Sequence, residues 1–241
     1  MQRVCFKKNL PKKSVKMKKN NIAAFFDLDH TLINKNTGIV WGWMLIKKGK
    51  MPVMFFINAA FFGLLYEMKL YSFRQLMKRL FKTMKGRNAS EILKLTNSYF
   101  KGNKDYLLRP KMLQRIGWHK AQGHRIIIIT QTFDFIAKIF AKDIGASKVY
   151  STEVGIKEGK FTGEVKPQIG EEKDDLMRAV SPLLGIDLKK SYAYTDSTRD
   201  LEMLEAVGKP QVVYPSSRLK AVAKKRNWQI WDSKQKIFKQ D

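Results

Sequence analysis

Ile22-Ala23-Ala24-Phe25-Phe26-Asp27-Leu28-Asp29-His30-Thr31 decides the fold of this chain. Its first five residues are all apolar, the pattern of a strand buried on both faces. Two carboxylates follow, two residues apart, where open α/β sheets place their sites. Asp-x-Asp-x-Thr alone is a weak pattern, because an Asp after a strand is most often a turn or cap residue. Three later segments give it weight. Thr130 follows Arg125-Ile126-Ile127-Ile128-Ile129, and Lys173 follows Gly170-Glu171-Glu172. Asp196-Ser197-Thr198-Arg199-Asp200 follows Ser191-Tyr192-Ala193-Tyr194-Thr195. A hydroxyl, an ammonium and four carboxylates thus fall at or just beyond strand ends. Such a set suits Mg²⁺-dependent phosphoryl transfer through an aspartyl-phosphate.

Outward from these anchors, strands alternate with helices, which predicts a parallel sheet with helices on both faces. Residues 36–109 carry only helical apolar spacing: Trp41, Met44 and Leu45, then Phe55 to Leu65, then Leu76, Leu80 and Phe81, then Ile92, Leu95 and Tyr99. An all-helical insertion is therefore expected there, inside a core formed by residues 21–35 and 110–235. Gly145 should stop the helix after Thr130, and Lys148 to Ser151 should be a short strand. Lys157-Glu158-Gly159-Lys160 reads as a turn between antiparallel segments. Lys173 should open a helix. Leu201, Leu204 and Val207 should form another, running on from Asp196 and stopped by Gly208. Gln211 to Tyr214 and Gln229 to Trp231 read as further strands. His119 and His124 flank a Gly before a strand and read as surface residues.

The chain has 241 residues, 44% of them hydrophobic, enough for an α/β domain with an inserted subdomain. Its single cysteine, Cys5, excludes an internal disulfide and a cysteine metal cluster, and a reducing cytoplasmic location is expected. The net charge of +26 attracts polyanions, although the lysines are scattered along the whole chain. Residues 1–20 hold eight basic residues and no acid and read as a disordered basic tail, with Met17 an alternative start. No apolar run resembling a signal segment follows them. Met51 to Met68 is the most apolar window, but it is too short to cross a bilayer. Its apolar residues nearly encircle a helix, so a buried helix is expected, with an anionic membrane surface as the other partner it would suit. Nucleic acid is disfavoured, because no recognition motif accompanies the charge.

The order and spacing of these segments resemble the haloacid dehalogenase superfamily of phosphohydrolases over residues 21–232. Gly159-Lys160-Phe161-Thr162-Gly163, and the segment from Tyr192 to Gly208, look like its phosphoserine-phosphatase-like branch, subfamily IB. The resemblance implies a Rossmann-like core with a helical cap at residues 36–109 that closes over substrate. It implies Asp27 as nucleophile and Asp29 as general acid and base, whose pKa neighbouring carboxylates should raise. Thr130, Gln131 and Lys173 would bind the substrate phosphate. The resemblance selects Lys173 among many lysines, with Lys166 as the fallback. Mg²⁺ would be held by Asp27, the backbone carbonyl of Asp29, and Asp196, with Asp200 holding a ligand water or Lys173.

Four positions depart from the branch's pattern. Thr195 stands where glycine is common, Arg199 where asparagine is usual, and Gln131-Thr132 where two glycines stand. The expected function is a Mg²⁺-dependent phosphomonoesterase acting on a small phosphorylated metabolite. One alternative is a phosphatase of phospholipid or lysophospholipid head groups at a membrane surface. The other is a basic anion- or nucleic-acid-binding protein with a vestigial site.

Overall fold

The structure is a computed structural model that describes residues 20–68, 70–169 and 173–232. The expected basic tail lies outside these residues apart from Asn20, as does Gly170-Glu171-Glu172.

The chain runs β1 (Ala23–Phe26), α1 (Thr37–Lys47), α2 (Met54–Glu67), α3 (Phe73–Phe81), α4 (Ala89–Gly102), α5 (Lys104–Leu107) and α6 (Pro110–Ala121). It continues through β2 (Arg125–Phe133), α7 (Asp134–Ile144), β3 (Lys148–Lys157), β4 (Lys160–Pro167) and α8 (Lys173–Leu184). It closes with β5 (Tyr192–Thr195), α9 (Leu201–Glu205), β6 (Lys209–Val213), α10 (Ser217–Lys225) and β7 (Gln229–Trp231).

One seven-stranded sheet has the order β4-β3-β2-β1-β5-β6-β7. Every neighbouring pair is parallel except β3–β4, which turn over Glu158 and Gly159, both at positive φ. From β1 the chain builds outward on one side through β2 and β3, and on the other through β5, β6 and β7. The carboxyl ends of β1 and β5 therefore meet at a topological switch point, where such sheets bind ligands.

The uninterrupted apolar run in β1 has a direct structural cause. Phe26 and Ile128 face one buried layer with α6 and α7, whereas Phe25 and Ile127 face another with α8, α9 and α10. A sheet covered on both faces has no polar side to alternate toward.

The helices between β1 and β2 do not form a separate core. Trp41, Phe81 and Phe100 belong to the same apolar cluster as Phe26, Ile128 and Phe140. Trp41 Nε1 donates to Thr96 Oγ1 at 2.9 Å, joining α1 to α4. Residues 86–89 also pair with the tip of the β3–β4 hairpin, through Gly86 N to Phe161 O at 2.9 Å and Ala89 N to Gly159 O at 2.8 Å.

Local expectations met several corrections. β2 does not stop before Thr130 but runs on to Phe133, with a register shift against β3 between Ile129 and Phe133. β3 is longer than Lys148 to Ser151, because β4 supplies it with a partner as far as Lys157. No helix runs on from Asp196. A 3₁₀ turn at Thr198–Asp200 precedes α9, which ends at Glu205, before Val207. Gly208 matters for close approach, since a Cβ there would lie 1.7 Å from the Lys189 carbonyl oxygen. His119 is fully buried, because Tyr194, His124 and Trp118 surround it. Gly145, by contrast, stops α7 in the left-handed conformation (φ 63°) as expected.

Candidate active site

Asp27 follows β1 directly, and its backbone N–H donates to Tyr194 O of β5 at 3.0 Å. Its buried carboxylate accepts from Lys173 Nζ at 2.6 Å through Oδ1. Lys173, the first residue of α8, also donates to Asp200 Oδ2 at 2.8 Å. Thr31 Oγ1 lies between Asp27 Oδ2 (3.3 Å) and Asp196 Oδ1 (3.1 Å), and it accepts from Asp196 N at 3.1 Å. Asp196 and Asp200 thus join the site from a loop and a 3₁₀ turn rather than from one helix face. Thr195, noted in the sequence only as a departure from glycine, donates to Asp200 Oδ2 at 2.6 Å.

Asp29 is held differently. Its Oδ1 accepts from the backbone N–H of Thr37, the first residue of α1, at 3.0 Å. Its Oδ2 accepts from Thr132 Oγ1 at 3.2 Å, and the two threonine hydroxyls lie 3.1 Å apart. Asp29 therefore ties the start of the helical segment to β2. Thr130 is buried beside Asp27, and its hydroxyl accepts from Thr132 N at 3.2 Å. Gln131 is positioned by its own carbonyl, which accepts from Thr152 Oγ1 at 2.9 Å. Lys166, the fallback lysine, is exposed on β4 and takes no part in lining this cavity.

The charges do not balance. Burial raises the pKa of Asp27 to about 7, and Asp200 and Asp196 push it the same way, against the pull of Lys173. Burial works against the Lys173 ammonium, but Asp200 and Asp27 outweigh it and raise its pKa, so the lysine stays charged. Burial also raises Asp29 and Asp196. Lys173 thus bridges Asp27 and Asp200, Thr31 links Asp27 on to Asp196, and the Asp196 charge also acts on the Arg109 guanidinium. Among the described residues, no three His, Cys, Asp or Glu side chains stand ready as a metal cage. The excess of hard oxygen donors nevertheless fits a small divalent cation that keeps several waters of its own.

The sequence assigned Thr31 and Thr37 no role and placed His119 at the surface. Thr31 could have been found, since it is the hydroxyl of Asp-x-Asp-x-Thr, two residues after Asp29. Thr37 had no signal, because its partners come from β2 and the loop after β1.

Comparison with known proteins agrees with this geometry. The family model of haloacid dehalogenase-like hydrolases matches residues 24–205. The chain is 29% identical over 212 residues to a probable phosphatase of Mycobacterium tuberculosis, covering 86% of this chain and 74% of that protein. It is 27% identical over 220 residues to a phosphoserine phosphatase of the same organism, covering 87% and 70%. A solved phosphoserine phosphatase, captured as an analogue of its phospho-aspartyl intermediate, superposes with a TM-score of 0.64 at 18% identity, over 90% of this chain and 95% of that one. The chain belongs to the haloacid dehalogenase-like hydrolases and is a phosphatase of phosphoserine-phosphatase-like type. Phosphatases of this family generally use Mg²⁺. Among the described residues, no helix is long and apolar enough to cross a membrane.

Proposed function

We propose that this protein is a Mg²⁺-dependent phosphomonoesterase that works through an aspartyl-phosphate on a phosphorylated small molecule. The observation that carries the reading is the meeting of Asp27 and Asp200 on Lys173, with Asp196 joined to Asp27 through Thr31, at the switch point of the sheet.

In this reading a carboxylate oxygen of Asp27 attacks phosphorus and the phosphorus–alkoxide bond breaks. Asp29 gives its proton to the departing alkoxide. Water then attacks the phosphorus of the aspartyl-phosphate and gives a proton to Asp29, and inorganic phosphate leaves with the Asp27 carboxylate restored. Burial raises the pKa of Asp29, the direction that suits a group which must hold and pass on a proton. Lys173 and the Thr130 hydroxyl bind phosphate oxygens, and Gln131 lies beside them. Asp27, Asp196 and the carbonyl of Asp29 would hold Mg²⁺, with Asp200 steadying Lys173. The cation would supply positive charge to offset repulsion between nucleophile and phosphate. Residues 36–109 act as the cap, and residues 21–35 and 110–235 as the catalytic core.

The test is hydrolysis of p-nitrophenyl phosphate. Activity should vanish in EDTA and return with Mg²⁺, and Asp27→Asn should abolish it while circular dichroism stays unchanged. A variant that keeps more than about a tenth of the wild-type rate removes Asp27 from the nucleophile role.

A further inference from the structure

The catalytic carboxylates open onto a cavity of about 720 Å³. That lies in the upper part of the ~300–1,000 Å³ range of small-molecule sites. Its lining is divided by element, with the Arg199 guanidinium of the loop after β5 reaching across to the Tyr66 ring of α2 at 4.9 Å. Polar groups gather at the sheet end, around Asp27, Thr130, Lys173 and Asp196. The opposite wall comes from α2, α3 and the 3₁₀ turn at Lys82–Met84, which together contribute twelve lining residues. None of the twelve is charged, and apart from Tyr66 none has a polar side chain.

Two features keep this wall apolar and the space open. On α2 the small residues Ala59, Ala60 and Gly63 line the cavity beside Phe55, Phe56 and Tyr66, while Phe73, Leu76 and Phe81 close the α3 side. A Cβ built at Gly63 meets nothing within 4 Å, so the helix borders free space there. A charged alcohol pushed against this wall away from Arg199 would leave buried charge unpaired, which is costly. An apolar chain would gain with every methylene buried.

We infer that the substrate is a phosphate monoester whose alcohol carries a long apolar chain, with the phosphate at Asp27 and the chain between α2 and α3. The inference rests on the phosphatase reading and adds the class of substrate. The outer face of α2 agrees with it. Ile57, Phe61 and Leu64 are 59%, 57% and 58% exposed, so the chamber wall is apolar on its solvent side too. An amphiphile could therefore reach the chamber from a lipid surface as well as from free solution.

The experiment is a chain-length series of n-alkyl phosphates, butyl to decyl, below their aggregation limits and with saturating Mg²⁺. kcat/KM should rise roughly fourfold per added methylene until the chamber is full. Gly63→Phe, which puts a ring into the free space, should cut the octyl-to-butyl ratio at least tenfold. A lysophosphatidic acid supplied as monomer and the same lipid in anionic vesicles distinguish the two sources, and turnover in either arm supports the inference. Butyl phosphate hydrolysed with no gain along the series, and no turnover of lysophosphatidic acid in either arm, overturns it while leaving the phosphatase reading intact. Failure to hydrolyse any ester overturns both.

Discussion

A hydroxyl has one proton, so Thr31 Oγ1 can donate to Asp27 or to Asp196 at any moment, but not to both. Lys173 and Thr195 both donate to Asp200, at 2.8 and 2.6 Å. Asp29 stands apart, held by Thr37 and Thr132 rather than by a cation. The difference in company predicts a difference in role. Asp29→Asn keeps the acceptor oxygen but can neither give nor take a proton. With an activated ester it should still phosphorylate Asp27, while hydrolysis of the adduct slows by ~10²–10⁴. Acid quench and mass spectrometry should find phosphate on Asp27. Undiminished turnover with no adduct would give the proton transfers to another residue.

Among the elements, the helices between β1 and β2 are anchored unequally. α4 buries Ile92, Thr96 and Phe100 and packs on α7, with Phe100 and Phe140 ring centroids 5.7 Å apart. α1 buries Trp41 and Leu45. α2 buries no side chain fully among its described residues, and it reaches the catalytic loop through the Arg199 guanidinium, 4.9 Å from the centre of the Tyr66 ring. Moving the whole segment as one body would tear the shared apolar cluster, so any opening over the site falls to α2 and α3. Backbone amides of α2 should accordingly exchange with deuterium at least about a hundredfold faster than those of α4. Equal protection of the two helices would mean that the cap opens as a rigid unit or not at all.

For the whole molecule, the layer below the site ties stability to pH. Tyr194 stacks on Phe26 at 4.3 Å, and its hydroxyl accepts from Arg115 Nε at 2.7 Å. The same hydroxyl meets His119 Nε2 at 2.8 Å, and His119 Nδ1 meets His124 Nδ1 at 2.8 Å. Burial pushes the His119 pKa down to about 2, and Arg115, His124 and Lys209 all oppose a further positive charge there. Tyr192, Tyr194 and Trp118 fill the remaining sides. The folded state therefore keeps His119 neutral, while the unfolded chain protonates it below about 6.5. With more protons on the unfolded state, stability must fall as pH falls through that window, by about 1.4 kcal/mol per pH unit. The loss between pH 6.5 and 5 should be about 2 kcal/mol larger in the wild type than in His119→Phe. Urea melts at the two pH values check it. Parallel losses in both proteins would mean that His119 does not control acid stability.

The local pattern of this chain carried the class of fold and the chemical inventory of its site. An apolar run of five residues is too short for a buried helix and reads as an interior strand, so β1 was legible, and the structure brings Asp27, Lys173, Asp196 and Asp200 close together. A glycine at the end of an apolar helix predicts its stop for the same local reason, as at Gly145. Tertiary structure decided what depends on partners distant in sequence. β3 extends to Lys157 because β4 pairs with it, and His119 is buried because β5 and His124 close around it. The threonine clasp on Asp29 joins residues 37 and 132, far apart along the chain. The chamber is likewise a product of packing: its apolar residues read as ordinary helix core. Only the gap left between α2, α3 and the sheet turns those side chains into a wall facing the catalytic carboxylates.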